Sequence, residues 1–371
     1  METNSFDVII VGSGIIGLAF AYTLHKKGKK VLVLEQHSHP VSSSIRNFGL
    51  ITVTGQPYQF EWELARRGSE IWTQVLQDLN IEPSQKGCIF TARSGIGEQL
   101  LNEYLNSEAG RKCKAVSKQQ LRESFPYLSD QIRFAIKSPY ELRLDSGMVI
   151  TKLIAYLKEC GVIFKFNCRV FNFLKNSVQC SLGKFQADKV IVAGGVDTRF
   201  LFPNLWKDHD IKICKLQMQL VRPKTPLLIS HSVMSDFSYH FYRGFKQMPS
   251  SVKLSSWFEE NYPIHFKYNM HLIAVKKSNG DFIIGDSHEY LEEIDPFEKE
   301  EIYDLQIQEL NNVFNLNSWQ NLQRWIGYYP WSEKSPTIIE KVDDYVTIVL
   351  VNRGKGMTIS FALAEKFVNN D

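Results

Sequence analysis

The sequence is short of most signals that sort a chain into a special class. It has no large excess of either charge: 43 Lys and Arg against 40 Asp and Glu leave a net charge of +3 over 371 residues. A nucleic-acid-binding domain usually shows a strongly basic face, so that class gains no support. No apolar run approaches the roughly 18 residues of a transmembrane helix. The opening Met1-Glu2-Thr3-Asn4 lacks a basic region, which predicts no secretory signal and a cytoplasmic location. The six cysteines (Cys88, Cys113, Cys160, Cys168, Cys180 and Cys214) contain no Cys-x-x-Cys pair and have irregular gaps. Buried reduced thiols are therefore expected in place of a disulfide framework. The nine histidines show no zinc-ligand spacing, and no metal is expected. His37 and His39 read as a surface loop. No internal repeat or low-complexity tract stands out.

What is present is an ordinary globular composition, 44% hydrophobic and 22% charged. At about 150 residues per domain the length suggests two to three domains, enough to bury a core without staples. The aromatic share, 12%, is the less usual feature.

The first forty residues are the most informative. Phe6 to Val11 is an apolar, β-branched run, which predicts a buried parallel strand. Gly12-Ser13-Gly14-Ile15-Ile16-Gly17 follows, then an apolar-periodic helix through Lys27 with Gly28 as its stop. Lys30 to Leu34 is a second strand with Glu35 at its end. Together these form a complete βαβ dinucleotide-binding fingerprint. Gly12 makes the tight turn, Gly14 lets backbone N–H groups approach a pyrophosphate, and Gly17 lets helix and strand pack closely. Glu35 suits ribose hydroxyls and disfavours a 2′-phosphate, so the ligand is FAD or NAD rather than NADP.

Further along, helices are predicted over 60–79, 98–109, from Ser117 to Pro126 with a capping box, over 145–160 and over 296–314. Strands are predicted over 87–92, 162–166, 185–193, 212–221 and 345–351. Asn279-Gly280 marks a hairpin joining 271–276 to 282–285. The strand ending at Ala193 runs into Gly194-Gly195, and the last strand runs into Asn352-Arg353-Gly354-Lys355-Gly356-Met357-Thr358 and a helix through Val368. The chain thus starts and ends with the same grammar of strand, glycine loop and helix. Two such loops can converge on one ligand at the carboxyl edge of a sheet. A long FAD molecule can use that late return, and NAD does not need it.

These residues resemble the D-amino-acid oxidase, glycine oxidase and sarcosine oxidase superfamily of FAD-dependent oxidoreductases over most of the chain. The resemblance rests on Gly12 to Gly17 with Glu35, Val190 to Gly195, Gly285-Asp286, Arg324-Trp325-Ile326-Gly327-Tyr328-Tyr329-Pro330, and Gly354 to Thr358. Ser44 to Gly49 and Ile283 to Tyr290 are similar to a branch associated with aminophosphonate catabolism. The implied fold class is α/β. A Rossmann-like FAD-binding domain (1–86, 145–212 and 324–371) is interleaved with an α+β substrate domain built on an antiparallel sheet (87–144 and 213–323).

The resemblance implies non-covalent FAD held by Gly12, Ser13, Gly14, Ile15, Ile16, Gly17, Glu35 and Gln36. Ser43, Ser44, Arg46, Asn47, Phe48 and Gly49 are implied beside the flavin ring, and Arg169 and Val170 on a strand beside adenine. Ala193, Gly194 and Gly195 are implied at the first sheet's edge. Arg353, Gly354, Lys355, Gly356, Met357 and Thr358 form the implied loop facing flavin O2 and N1. Many amino-acid-oxidising relatives carry Arg before the proline of the Trp-x-Gly-x-x-Pro element, where this chain has Tyr329. A phenol does not replace a bidentate guanidinium. Arg46, Arg243, Arg353 or Lys355 could hold an anion elsewhere. No cysteine follows Cys214, so the sarcosine-oxidase type of covalent flavin link is excluded.

The implied activity is oxidation of a small primary or secondary amine bearing an anionic group. Hydride passes to flavin N5, the imine hydrolyses, and O2 or another acceptor reoxidises the flavin. 2-Aminoethylphosphonate or its N-methyl form is the sharper substrate. Catalytic candidates are His271, Tyr329 and Lys355; substrate-binding candidates are Arg46, Tyr242, His271 and Tyr329. Each has a structural alternative: Tyr328 and Tyr329 as sheet-edge caps, Tyr242 on an exposed strand, His271 as a satisfied strand residue, Lys355 turned to solvent. A hydroxy-acid or glycerol-phosphate dehydrogenase, or a catalytically silent flavoprotein subunit, stays open, as does a homo-oligomer.

Overall fold

The computed structural model describes residues 5–316 and 318–370. Its framework is two sheets meeting along one edge. The first has its parallel core in the order Val346–Val351, Gly183–Val192, Ser5–Val11, Val31–Leu34, Ile163–Lys165. Thr337–Lys341 adds antiparallel at one end, and the hairpin Val170–Leu174 and Ser177–Cys180 attaches to Gly183–Val192. These strands are continuous Val/Ile/Leu runs because both faces are covered. Val8, Ile10, Val33, Ile191 and Val349 face one core with the helices Ile15–Lys26, Ser146–Glu159 and Gly356–Asn370. Ile9, Val11, Leu32, Val190 and Ile348 face the other, under Leu205 and Trp206.

The second sheet is mostly antiparallel, in the order Glu289–Leu291, Lys212–Pro223, Phe282–Gly285, Ile273–Lys276, Ser232–Met234, Gln85–Ala92, Phe134–Arg143, Leu50–Ile51. The exception is Ser232–Met234, which pairs in parallel with Gln85–Ala92. Lys114–Val116 and Trp319–Trp331 join it beside Phe134–Arg143 and Lys212–Pro223. The α/β class, the βαβ unit, the Asn279-Gly280 hairpin and the Ser117–Gln120 capping box are all present as expected.

Several expectations need correction. Trp319–Trp331 is one 13-residue strand hydrogen-bonded to Lys212–Pro223, so the last segment of the first sheet starts at Thr337, not near residue 324. Tyr242 is not on a strand. It precedes the short helix Arg243–Lys246, followed by helices Ser251–Asn261 and Pro263–Lys267. The helix expected over 296–314 covers only Glu300–Val313, and its inward face carries Gln306 and Glu309. Glu309 receives two hydrogen bonds of 2.7 Å from Arg93, which burial alone would leave unpaired.

The closing helix is fastened to Phe60–Asp78 at two levels. Arg67 makes a bidentate pair with Glu365 at 2.7 and 2.8 Å. Trp72, fully buried, stacks edge-on against Phe361 and donates its indole N–H to the Met357 carbonyl at 2.6 Å. Trp72→Ala removes the ring and strands that carbonyl, so it should destabilise the fold by about 3–5 kcal/mol. Denaturant unfolding followed by far-UV circular dichroism checks this; an unchanged midpoint would show that the two helices do not depend on Trp72.

Candidate functional site

One large cavity, about 1160 Å³, opens at the carboxyl edge of the first sheet and runs under the second. Its floor begins at the turn after Val11. Gly12 has φ +104°, and a Cβ there would lie 2.6 Å from the Ala193 carbonyl. A Cβ on Gly17 would lie 2.0 Å from the Gly12 carbonyl. Two glycines therefore let the first turn, the 193–195 turn and the N-terminus of helix Ile15–Lys26 touch backbone to backbone. The Ile15 N–H donates to Ser44 Oγ at 2.9 Å, tying the 43–49 segment to that helix end.

Glu35 is 7% exposed and faces the cavity. One carboxylate oxygen accepts from the Ser13 N–H at 2.9 Å and the Ser13 hydroxyl at 2.8 Å, the other from the His37 N–H at 3.0 Å. The acid thus braces the glycine turn as well as facing the cavity. Gln36 donates to Asp197 at 2.6 Å. Arg169 and Val170 line the same end of the cavity as Glu35 and Gln36.

The 43–49 segment is held from both sides. Ser43 donates to the Tyr328 carbonyl, and Arg46 donates to the Ile326 carbonyl while its guanidinium lies 5.4 Å from the Tyr328 ring. Asn47 accepts from the Gly49 N–H and from the Ser146 hydroxyl, both at 2.7 Å. The C-terminal loop closes the wall opposite. Arg353 donates through Nε to the Ser332 carbonyl at 2.9 Å, and to the Glu333 carbonyl. Gly354 has φ +68°, and a Cβ there would lie 3.2 Å from the Tyr329 ring. Lys355 turns inward to pair with Glu61 rather than out to solvent. Burial lowers its pKa, and Glu61 works against that. The Thr358 hydroxyl accepts from the Thr52 N–H at 3.1 Å.

The roof comes from the second sheet. Tyr242, His271 and Tyr329 all line the cavity, and Tyr329 is 8% exposed. Burial raises the Tyr329 phenol above its usual range, so it stays neutral. His240, Asp286 and His288 stand beside them and were not anticipated. Burial pushes Asp286 up to about 7, lowers His240 and His288 to about 4, and lowers His271 well below its ordinary value. At neutral pH the imidazoles are therefore uncharged. Asp286 and His288 follow strand Phe282–Gly285 and lie in no strand themselves, so no local period marks them in the sequence.

Of the candidates read from sequence, Ser13, Gly17 and Gly49 do not line the cavity. Each supports it from behind, through Glu35, the first turn and Asn47 respectively. The remainder converge on it. Among the described residues no helix is long and apolar enough to cross a membrane.

Comparison with known proteins agrees with this arrangement. Residues 7–369 match the family model described as FAD dependent oxidoreductase. The chain is 24% identical over 246 residues to D-amino acid dehydrogenase of Helicobacter pylori, spanning 52% of this chain and 60% of that protein. It is 27% identical over 214 residues to sarcosine oxidase subunit beta of an Arthrobacter species, spanning 52% of this chain and 51% of that protein. These matches therefore span less than two thirds of those relatives. The fold is similar to glycine oxidase of Bacillus cereus, with a TM-score of 0.79 at 18% identity over 98% of this chain and 94% of that one. With the cradle in place and nearly the whole chain matched, the protein belongs to the family of FAD-dependent oxidoreductases, and FAD is its cofactor.

Proposed function

We propose that this protein oxidises a small primary or secondary amine carrying an anionic group, with 2-aminoethylphosphonate or its N-methyl form as the sharpest candidate. The observation that carries the reading is the cavity itself. It joins a glycine-lined floor suited to FAD to a closed roof of aromatic rings and neutral imidazoles. Of the relatives whose names give a substrate, D-amino acid dehydrogenase, sarcosine oxidase and N-methyl-L-tryptophan oxidase name amino compounds, whereas glycerol-3-phosphate dehydrogenase names a phosphorylated alcohol.

The residues fit non-covalent FAD. Gly12 and Gly17 let the turn and the helix end close backbone to backbone at the cavity floor, and two helix N-termini, at Ile15 and Gly356, meet the cavity with their positive dipole ends. When bound, FAD supplies a two-electron acceptor for hydride from the amine carbon. Around it, Glu35 would hold ribose, Arg169 and Val170 the adenine end, and the 353–358 loop the ring's polar edge.

The chain's own groups then have distinct tasks. An amine must be unprotonated before it loses hydride, and His271, buried and uncharged, lines the roof of the pocket. Tyr242 and Tyr329 shape the pocket and exclude water. Lys355 places a cation at the loop with its charge moderated by Glu61. Arg46 is already committed to Ile326 and Tyr328, so it would hold an anion only with its remaining N–H groups. The substrate's imine then adds water and releases ammonia or methylamine.

Two measurements test this. Glu35→Ala removes the acceptor that braces the turn and faces ribose; hydrogen bonds to a charged group are each worth about 1.5–3 kcal/mol. FAD affinity should fall by about tenfold to a hundredfold, read from flavin absorbance per chain and titration of the apoprotein. Anaerobic mixing with a panel of amines should bleach the visible flavin band of the wild type, fastest with anion-bearing amines. Bleaching by hydroxy acids or glycerol phosphate but by no amine would overturn the reading, as would a flavin that no substrate reduces.

A further inference from the structure

His271 lies just ahead of strand Ile273–Lys276, and Asp286 and His288 lie just past strand Phe282–Gly285. The hairpin register sets Ile273 opposite Gly285, and the His271 N–H donates to the Asp286 carbonyl at 2.7 Å. Hairpin pairing therefore delivers three metal-ligand side chains to one point, although they are scattered in sequence. Their donor atoms all lie within 4.8 Å of one another. His271 Nδ1 is 3.6 Å from one Asp286 oxygen, and His288 Nε2 is 3.8 Å from the other. Ligands at about 2.0–2.2 Å from a tetrahedral metal stand about 3.4 Å apart. The two His–Asp separations, to the two oxygens of one carboxylate, lie within a few tenths of an ångström of that value.

Two further observations point to a ligand. Asp286 Oδ1 is buried with no hydrogen-bond partner, and its 3.6 Å to His271 Nδ1 is too long to count as one. A buried carboxylate oxygen left without a donor is costly, and a cation removes that cost. Second, His288 Nδ1 is bonded to the Asn269 carbonyl at 3.0 Å, in a left-handed turn where Asn269 has φ +43°. That bond fixes the proton on Nδ1 and leaves Nε2 as a lone pair aimed at Asp286. Metal-ligating histidines are oriented in this way.

We propose that His271, Asp286 and His288 bind one divalent transition-metal cation of the Zn²⁺ class, with an open coordination position toward the cavity. Two imidazoles and one carboxylate suit zinc, iron or manganese better than magnesium or calcium, which prefer all-oxygen shells. All three residues line the cavity, and Phe241 fences the pair of imidazoles, its ring 4.2 Å from His271 and 4.3 Å from His288. The open position suits an oxyanion, so the cation takes over the anchoring that Tyr329, in place of an arginine, cannot give. This last role rests on the proposed amine substrate; the metal site does not.

The test uses untagged, FAD-loaded protein. After dialysis against metal-free buffer, Zn²⁺ titration calorimetry and elemental analysis should find one Zn²⁺ per chain. Asp286→Asn and His288→Ala should weaken Zn²⁺ binding by at least about a hundredfold while flavin per chain is unchanged. Zinc-edge absorption spectroscopy of the wild type reads the shell without any variant and should show two imidazoles and oxygen, no sulfur. Absence of Zn²⁺ binding by the wild type, a sulfur-containing shell, or undiminished binding by both variants overturns the site. Chelation should raise KM for anion-bearing amines and leave amines without an anion unchanged; equal effects overturn the anchoring role. If no amine reduces the flavin, the proposed function fails while the zinc stoichiometry still decides the site.

Discussion

Strands Ser5–Val11 and Gly183–Val192 pair in parallel and end together, which sets the turn after Val11 against the turn after Val192. That contact tolerates no side chain, because the space a Cβ on Gly12 would need is filled by the Ala193 carbonyl. Closing it draws the N-terminus of helix Ile15–Lys26 to the sheet edge, since Gly17 packs on the Gly12 carbonyl. Glu35 then locks the turn from the next strand through Ser13. The cavity floor is thus a consequence of strand pairing, with its polar groups fixed before any ligand arrives. Preorganisation of this kind spares binding the cost of ordering the loop.

The second constraint is that the floor needs a lid, and the chain supplies it from its middle. Lys212–Pro223 pairs with Phe282–Gly285, Glu289–Leu291 and Trp319–Trp331, so one long strand carries most of the roof. Trp319–Trp331 in turn reaches back to the floor: Tyr328 accepts from Ser43, and Pro330 accepts from the Arg353 N–H. Both sheets are therefore bonded to the same cavity-lining segments, and displacement of either would disturb the loops on the other side. Much of the aromatic content sits here or in the adjoining cluster of Phe237, Phe258 and Tyr262. Tyr290 packs on Trp331 at 4.3 Å beside the cavity, whereas most other rings serve as core.

Legibility in the sequence followed the range of the interactions. The βαβ unit, the capping box and the Asn279-Gly280 hairpin are written in contiguous residues, so periodicity and turn chemistry expose them. Phe134–Arg143 escapes because it buries Glu141 and Arg143 and carries Pro139 where its register with Gln85–Ala92 shifts. Its polar residues point inward, which inverts the expected alternation. The first half of Trp319–Trp331 exposes Gln320, Asn321, Gln323 and Arg324 without alternation, so only its tertiary partner identifies it as one strand. The glycine turn after Val11 and Glu35, which meet at the cavity floor, are legible because glycines and one acid mark them locally. Asp286 and His288 acquire meaning only when hairpin register sets them beside His271, and no linear spacing encodes that.

The two ends of the cavity differ in a way that bears on ligand choice. Helices Ile15–Lys26 and Gly356–Asn370 both begin at its wall, and neither has an acidic residue in its first turn. A helix N-terminus carries roughly half a positive charge, stabilised by an anion at the first turn. Glu35 accepts from the Ser13 N–H and the neutral Ser44 hydroxyl from the Ile15 N–H, which leaves the dipole charge of the first terminus uncompensated, and Glu61 is matched to Lys355 rather than to the second. A ligand with negative charge at only one place would satisfy one terminus and leave the other. FAD carries a pyrophosphate, and its ring system accumulates negative charge on reduction at a separate site. On the proposed placement of FAD, the chain's return to the sheet edge after Val351 would bring a second positive terminus to the ring whose charge changes on reduction.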